Sequence, residues 1–331
     1  MSGQFEVAGA AAVFRSLAEI PSGFGPTVAA IGNFDGVHLG HQQILSGVVA
    51  EARTIGARAL AITFDPHPEH FLRPAQAPKL LTPLGERLRL LSQTAVDAIL
   101  VLPFDAKLAG LTPGEFVQHI LVEKLAVRGV HEGQNFRFGH GAAAGVNELT
   151  AMGAASGFNV RVHAPVRVRG MEVSSSAIRT LVAAGDVRRA RWMLGRPFAV
   201  LSTQTRGRGV GRRLLVPTVN LAAYHGLLPA FGVYVTRLKV PGRTFQSVTN
   251  VGDRPTFEGV GFGVETHILD LAPIEMNEES PIELEFLLRL RAERKFDSPE
   301  ALKAQIVKDV ARAKRYFRRT ESASGRDEPE K

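Results

Sequence analysis

The chain contains no cysteine among its 331 residues. That absence excludes disulfides, thiolate metal sites and cysteine nucleophiles, and a reducing cytoplasm is the simplest setting for it. Long apolar runs are missing too: no stretch approaches the length that crosses a bilayer. The opening "MSGQFEVAGAAAVFR" lacks the basic segment and apolar core of an export signal. Neither export nor membrane association is expected. A hydrophobic fraction of 45% with 22% charged residues is that of an ordinary globular protein, long enough for two domains.

Charge is uneven. The net +8 is concentrated in "KDVARAKRYFRR" at 308–319, six basic side chains against one acid, and in "RGRGVGRR" at 206–213, with four arginines. The remainder is close to neutral, so a general nucleic-acid face is not expected, and basic helical runs are commonly solvated surfaces.

The hydrophobic pattern changes midway. Apolar runs at 27–32, 57–64, 97–105 and 124–133 predict buried strands. Between the first two lies a helical segment with Ile44, Leu45, Val48 and Val49 on one face, and further helical segments are read around 84–94 and 113–123. This alternation predicts a Rossmann-like α/β domain with a parallel sheet. After residue 198 the period becomes two, at 231–240, 244–250, 264–270 and 282–291, as in an antiparallel barrel. A closing helix is expected with Ser298 as cap, Pro299 in its first turn and Leu302, Ile306, Val310, Ala313 and Phe317 on one face. Segment 174–198 reads as helix, Gly185 break, helix. The expected division is 1–186, 187–320 and a polar, disordered tail at 321–331.

The stretch "GNFDGVHLGHQ" at 32–42 follows the first of these strands and opens a helix. Ligands of open α/β sheets bind at the carboxyl ends of strands, and free backbone N–H groups at a helix start attract phosphate. His38 and His41, at i and i+3, share one helical face and are suited to hold a triphosphate and neutralise a departing pyrophosphate. Zinc ligation and a purely structural turn are the alternatives on these residues alone.

The chain is similar to a known family at this point. G-x-F-D-x-x-H-x-G-H is a nucleotidyltransferase signature, and "GNFDGVHLGHQ" resembles the version in bacterial bifunctional riboflavin kinase/FMN adenylyltransferases. Further matches follow in order: "TFDPHP" at 63–68, "LPFD" at 102–105, "GQNFRFG" at 133–139, "VSSSAIR" at 173–179, "PTVNL" at 217–221, "LPAFGVY" at 228–234, "NVGDRPTF" at 250–257, "VETHILD" at 264–270 and "RLRAERKFDS" at 289–298. In the first domain the resemblance implies adenylylation of FMN by ATP. Gly32, Phe34, Asp35, His38, His41, Ser174, Ser175 and Arg179 would contact ATP, and His67, Asn135, Phe136 and Phe138 would lie in or beside the nucleotide and flavin pocket. Plain helix capping is the alternative for the serines, and plain core packing for the two phenylalanines.

In the second domain the resemblance implies phosphorylation of riboflavin. Thr218 and Asn220 would coordinate Mg2+ together with ATP oxygens, Gly209 and Gly211 would offer backbone donors to phosphate, and Glu265 would accept the ribityl hydroxyl proton. Arg254 and Arg291 would bind flavin or phosphate. The chain departs from the family pattern at Asn135, where many members carry aspartate, and at 140–145, which lacks the usual basic residues. It departs again at Leu215 and Val216, and at 272–281. Enzymes with one live site, and a non-catalytic flavin or nucleic-acid binder on the same scaffold, are the alternatives to two activities. The expected partners are small molecules (riboflavin, FMN and ATP, with FAD as product), acting on a monomer or weak homo-oligomer.

Overall fold

A computed structural model describes residues 11–205, 218–222, 224–256, 259–269 and 280–324. They fall into two compact units, one ending at Ser175 and the other beginning at Ser176.

The first unit is a six-stranded parallel sheet. In chain order its elements are β1 (Ala12–Phe14), β2 (Thr27–Ile31), α1 (Leu39–Ile55), β3 (Arg58–Asp65), α2 (Leu84–Ser92), β4 (Ala98–Pro103), a helix α3 from Pro113 to Lys124, β5 (Val127–Gly133), α4 (Val146–Ser156) and β6 (Asn159–His163). The strand order is β1-β4-β3-β2-β5-β6. β2, with all five residues buried, is the centre of the fold. Its even and odd side chains feed two separate cores: Val28 and Ala30 pack with Leu45, Val48 and Ala52 of α1, while Ala29 and Ile31 pack with Phe116, Ile120 and Leu121. That two-sided burial is why the strand reads as a continuous apolar run.

The four strands and three helices expected here are present. Two further strands, β1 and β6, flank them at the two sheet edges. α3 differs from expectation, because Phe116–Lys124 is wound as a π-helix after a capping box at Thr112 and Glu115. The order reverses at β2: the chain moves through β3 and β4 to one side and returns with β5 on the other. The crevice between the carboxyl ends of β2 and β5 is therefore the topological switch point, where ligands of such sheets bind.

The second unit opens with α5 (Ser175–Ala183), whose first residue closes the first unit, and α6 (Val187–Leu194), separated by Gly185 at φ +81°. A closed antiparallel barrel follows, with strands β7 (Phe198–Thr205), β8 (Thr218–Leu221), β9 (Gly232–Val240), β10 (Arg243–Thr256), β11 (Gly259–Ile268) and β12 (Pro281–Ala292), in the order β7-β8-β11-β10-β9-β12. Alternation sends Thr236, Ser247, Thr249 and Thr266 fully inside, where their hydroxyls form a chain of hydrogen bonds 2.7–2.9 Å long. Each buried hydroxyl is thus paired, as burial demands.

The closing helix α7 (Pro299–Ser324) is capped by Ser298 Oγ, which accepts from Ala301 N at 3.1 Å. Ala313 and Phe317 pack on Val233, Val235 and Val248 of the barrel's outer face. Residues 321–324, expected in the disordered tail, continue this helix, and the Gln246 amide donates to Glu321 Oε1 at 2.7 Å. Residues 325–331 lie outside the described residues.

Candidate active sites

The loop from Gly32 to His38 leaves β2 under unusual backbone constraint. Gly36 sits at φ +89°, and two residues with side chains, Phe34 at +47° and Val37 at +37°, also occupy the left-handed region. Such a conformation costs on the order of 1–3 kcal/mol per non-glycine residue and persists only where the surroundings impose it. Here they do. Phe34 and Val37 are each 2% exposed in the core beneath α1. Asp35, also buried, accepts from Leu81 N at 3.0 Å, from Thr82 N at 2.8 Å and from Thr82 Oγ1 at 3.1 Å. The Thr82 hydroxyl in turn accepts from Gly36 N at 2.8 Å. The buried guanidinium of Arg87 donates to Asn33 O at 2.8 Å and to Phe64 O at 2.9 Å, locking the loop to the end of β3.

Asp35 thus serves as an internal strut of the loop. Its removal leaves two backbone N–H groups without their carboxylate, so Asp35→Ala is expected to destabilise the protein by about 3 kcal/mol. It should also impair any chemistry at this loop while sparing the barrel; denaturant unfolding and separate assays of the two reactions check this.

At the end of the loop His38 caps α1, its Nδ1 accepting from His41 N at 3.3 Å. The two imidazoles stack with centroids 3.6 Å apart and planes 17° from parallel, and Phe34 meets His41 edge-on at 5.2 Å. Gly40 leaves room for this stack, since a Cβ there would lie 3.2 Å from the His38 ring. Parallel stacked rings point their in-plane lone pairs side by side rather than at a common point, which is unlike a zinc pair. Among the described residues no group of three or more His, Cys, Asp or Glu side chains is arranged to hold a metal.

These histidines line a cleft of about 250 Å³ at the switch point. Gly32, Phe34, Asn135, Phe136 and Ser174 line it with them. Other candidates stand elsewhere. Ser175 Oγ donates to the carbonyl of Asp35 at 2.8 Å, bracing the loop from behind. His67 caps the short helix Pro68–Leu72 by accepting from Glu69 N at 3.2 Å. Phe138 is buried in the core with Phe116, its ring stacked on Phe136 at 5.5 Å. Arg179 lies on α5, in the second unit.

Three polar residues outside the expected set also take part here: Thr82, Arg87 and Glu132. A histidine pair stands at the same cleft, His131 buried and His163 half-buried in its wall. His131 shares a hydrogen bond with His163 at 2.9 Å and meets Glu51 at 3.1 Å, and Glu51 pairs with Arg161 at 2.6 Å. Burial lowers the affinity of both imidazoles for a proton, opposed at His131 by the Glu51 carboxylate.

In the barrel, pairing creates a second constellation. β8 and β11 run antiparallel with Asn220 directly opposite Glu265 and Thr218 opposite His267. Asn250 of β10 faces Glu265 from the other side. Directly opposed residues of antiparallel strands project to the same face, their Cβ atoms about 5 Å apart. Asn220 is buried and Glu265 exposed, so an amide oxygen and a carboxylate lie together on the outer wall of the barrel. Arg291 is held by the closing helix, its Nε donating to Asp309 at 2.9 Å, a contact that the expected helix face, drawn from apolar residues, did not include. Gly209, Gly211, Leu215 and Val216 lie outside the described residues, as does most of 272–281; for Thr218 and Arg254 only the backbone is described.

A parallel sheet with a phosphate-suited loop at its switch point, followed by a closed barrel bearing an acid–amide pair, defines a two-site nucleotide-dependent transferase. Comparison with known proteins agrees. Residues 21–177 match the FAD synthetase family model and residues 194–317 match the riboflavin kinase model. The chain is 36% identical over 288 residues to the bifunctional riboflavin kinase/FMN adenylyltransferase of Pseudomonas fluorescens, covering 87% of this chain and 92% of that one. It is 34% identical over 297 residues to the protein of the same name from Escherichia coli strain K12, covering 89% and 94%.

A crystal structure titled as a macrolide-efflux protein from Streptococcus pneumoniae superposes with a TM-score of 0.80 at 25% identity, over 90% of this chain and 96% of that one. Among the described residues of this chain no helix is long and apolar enough to cross a membrane. The chain belongs to the bifunctional riboflavin kinase/FMN adenylyltransferase family.

Proposed function

We propose that the chain converts riboflavin to FMN and FMN to FAD, each step consuming ATP, with adenylylation assigned to residues 1–186 and phosphorylation to 187–320. The observation that carries the first assignment is the stacked His38–His41 pair lining the switch-point cleft. An oxygen of the FMN phosphate attacks the α-phosphorus of ATP, the bond from that phosphorus to the bridging oxygen breaks, and pyrophosphate leaves. The reaction needs alignment and neutralisation of charge more than covalent help. The start of α1 and the two imidazoles supply donors for the leaving pyrophosphate, and Ser174 adds a hydroxyl. Motif likeness supports grouping Arg179 with them, while Ser175 supports the loop through its hydrogen bond to the Asp35 carbonyl. Asn135 and Phe136 line the same cleft and suit the flavin or the base.

In the barrel, Glu265 takes the proton of the ribityl 5′-hydroxyl as that oxygen attacks the γ-phosphorus of ATP, the bond from that phosphorus to the β–γ bridging oxygen breaks, and ADP leaves. The side-chain oxygen of Asn220 fits magnesium, a hard ion that takes few protein ligands and fills its shell with water and phosphate oxygens, and motif likeness supports Thr218 as its second ligand. When bound it would neutralise phosphate charge. The Asn220–Glu265 register supports this by placing the proposed metal ligand beside the proposed base. Motif likeness alone supports phosphate roles for Gly209, Gly211 and Arg254. The lack of cysteine supports a cytoplasmic setting, with small molecules as the partners.

Incubation of the purified chain with riboflavin, ATP and magnesium, followed by chromatography, should show FMN and then FAD. Unchanged riboflavin, and unchanged FMN when FMN is supplied, would refute the assignment.

A further inference from the structure

The carboxyl end of β5 carries an acid where an apolar residue would serve the fold. Glu132 is 3% exposed, and what remains accessible faces the switch-point cleft. Its backbone neighbours explain how it is tolerated. The ladder between β2 and β5 ends at the pair Ala29 and Val130, after which the strands part. Beyond that point Ile31 N donates to Glu132 Oε1 at 2.7 Å, so the side chain takes over from a strand carbonyl and props the crevice open. Oε2 has no partner among the described residues.

We propose that Glu132 is a substrate-contacting specificity residue, whose free Oε2 carries a hydroxyl that donates to an acceptor atom on the nitrogen heterocycle of the adenylyl-transfer substrates. Three observations favour a heterocycle over a phosphate. The phosphate-suited groups, His38, His41 and Ser174, are already grouped in the cleft, whereas Ile31, Ile44 and Phe136 give it an apolar part suited to a flat ring. No lysine or arginine lines the cleft to pair a carboxylate. Burial also holds the Glu132 carboxyl well above the usual carboxylate range, opposed only by the Ile31 hydrogen bond, a shift in the direction that favours the protonated, donating form. A buried acid kept neutral can donate as an alcohol does. The acceptor belongs either to the isoalloxazine of FMN or to the adenine of ATP.

The test measures FAD formation by wild type, Glu132→Gln and Glu132→Leu, with KM for FMN and for ATP determined separately across pH 6–10. Glu132→Leu removes the donor and should raise KM for one of the two substrates about tenfold, with a much smaller change in kcat; the substrate affected identifies the ring. Glu132→Gln keeps a donor and should stay within about twofold of wild type near neutral pH. Above the Glu132 pKa the donor is lost and a charge appears, so wild-type KM for that substrate should rise with pH. The Gln variant should not share that added rise, although His38, His41, His163 and Glu172 line the same cleft in both proteins.

FMN formation in the barrel and thermal melting report whether each variant is folded. Should Glu132→Leu not fold, the wild-type and Gln pH profiles decide. Unchanged KM values in Glu132→Leu, equal impairment of Gln and Leu, or identical pH profiles for wild type and Gln would overturn the proposal. It rests on the adenylyl-transfer reading, and the failures are distinguishable. If wild type forms no FAD, that reading fails; if wild type forms FAD and the variants behave alike, only the role of Glu132 does.

Discussion

His41→Ala is expected to lower FAD formation by about 100- to 1000-fold while leaving FMN formation from riboflavin intact. The magnitude is that of removing one donor positioned for charge developing on a leaving group. His41 combines three constraints that make it hard to replace. Its ring is stacked on His38, its edge meets Phe34, and its backbone N–H is held by His38 Nδ1. Loss of the imidazole removes a donor and also frees His38 from its stacking partner. A lowered kcat for FAD with a smaller change in KM for FMN is the expected kinetic form, because the lost contact acts on pyrophosphate as its charge grows. Loss of both reactions in a folded protein would contradict the separation of the two sites.

Glu265→Gln is expected to have the converse effect. FMN formation should fall by about 100- to 10,000-fold, the range for loss of a positioned general base, while FAD formation from supplied FMN persists. The amide conserves size and polarity but cannot take up a proton at neutral pH, so the substitution separates proton acceptance from packing. Glu265 is exposed on its strand, and little stability should be lost with it. Parallel assays with riboflavin and with FMN as the starting flavin check the prediction.

Much of the architecture was legible because two hydrophobic periods meet in one chain. β2 and β3 are continuous apolar runs, buried on both faces, whereas β12 alternates apolar and charged residues from Ile282 to Phe286, the period of a barrel wall. The omissions have local causes. β1 is three residues long and β6 has no buried residue, so neither carries the pattern that marks a strand; each is recruited by pairing with β4 or β5 at an edge. The start of α7 was legible from Ser298 and Pro299, whereas its end was not: three of residues 321–324 are polar, yet the helix continues through them and Glu321 is engaged by Gln246 of the barrel.

The site divides in the same way. The glycine–histidine motif marks the loop, but a motif does not distinguish side chains that face a ligand from those that hold the loop in shape. His38 and His41 face the cleft; Asp35 and Ser175 point into the scaffold. Glu265 and Asn220 are 45 residues apart, and only the register of β8 on β11 sets them opposite one another. Glu132 looks like one acid ending an apolar strand until the parting of β2 and β5 shows what its carboxyl replaces.

The central claim is that two separate pockets direct ATP at different phosphorus atoms, and isotope tracing tests it most directly. Wild-type protein supplied with riboflavin, magnesium and ATP labelled at the γ-phosphorus should place that label in FMN and retain it in FAD. ATP labelled at the α-phosphorus should leave FMN unlabelled and label FAD alone. Entry of the α label into FMN, or absence of the α label from FAD, would contradict the account.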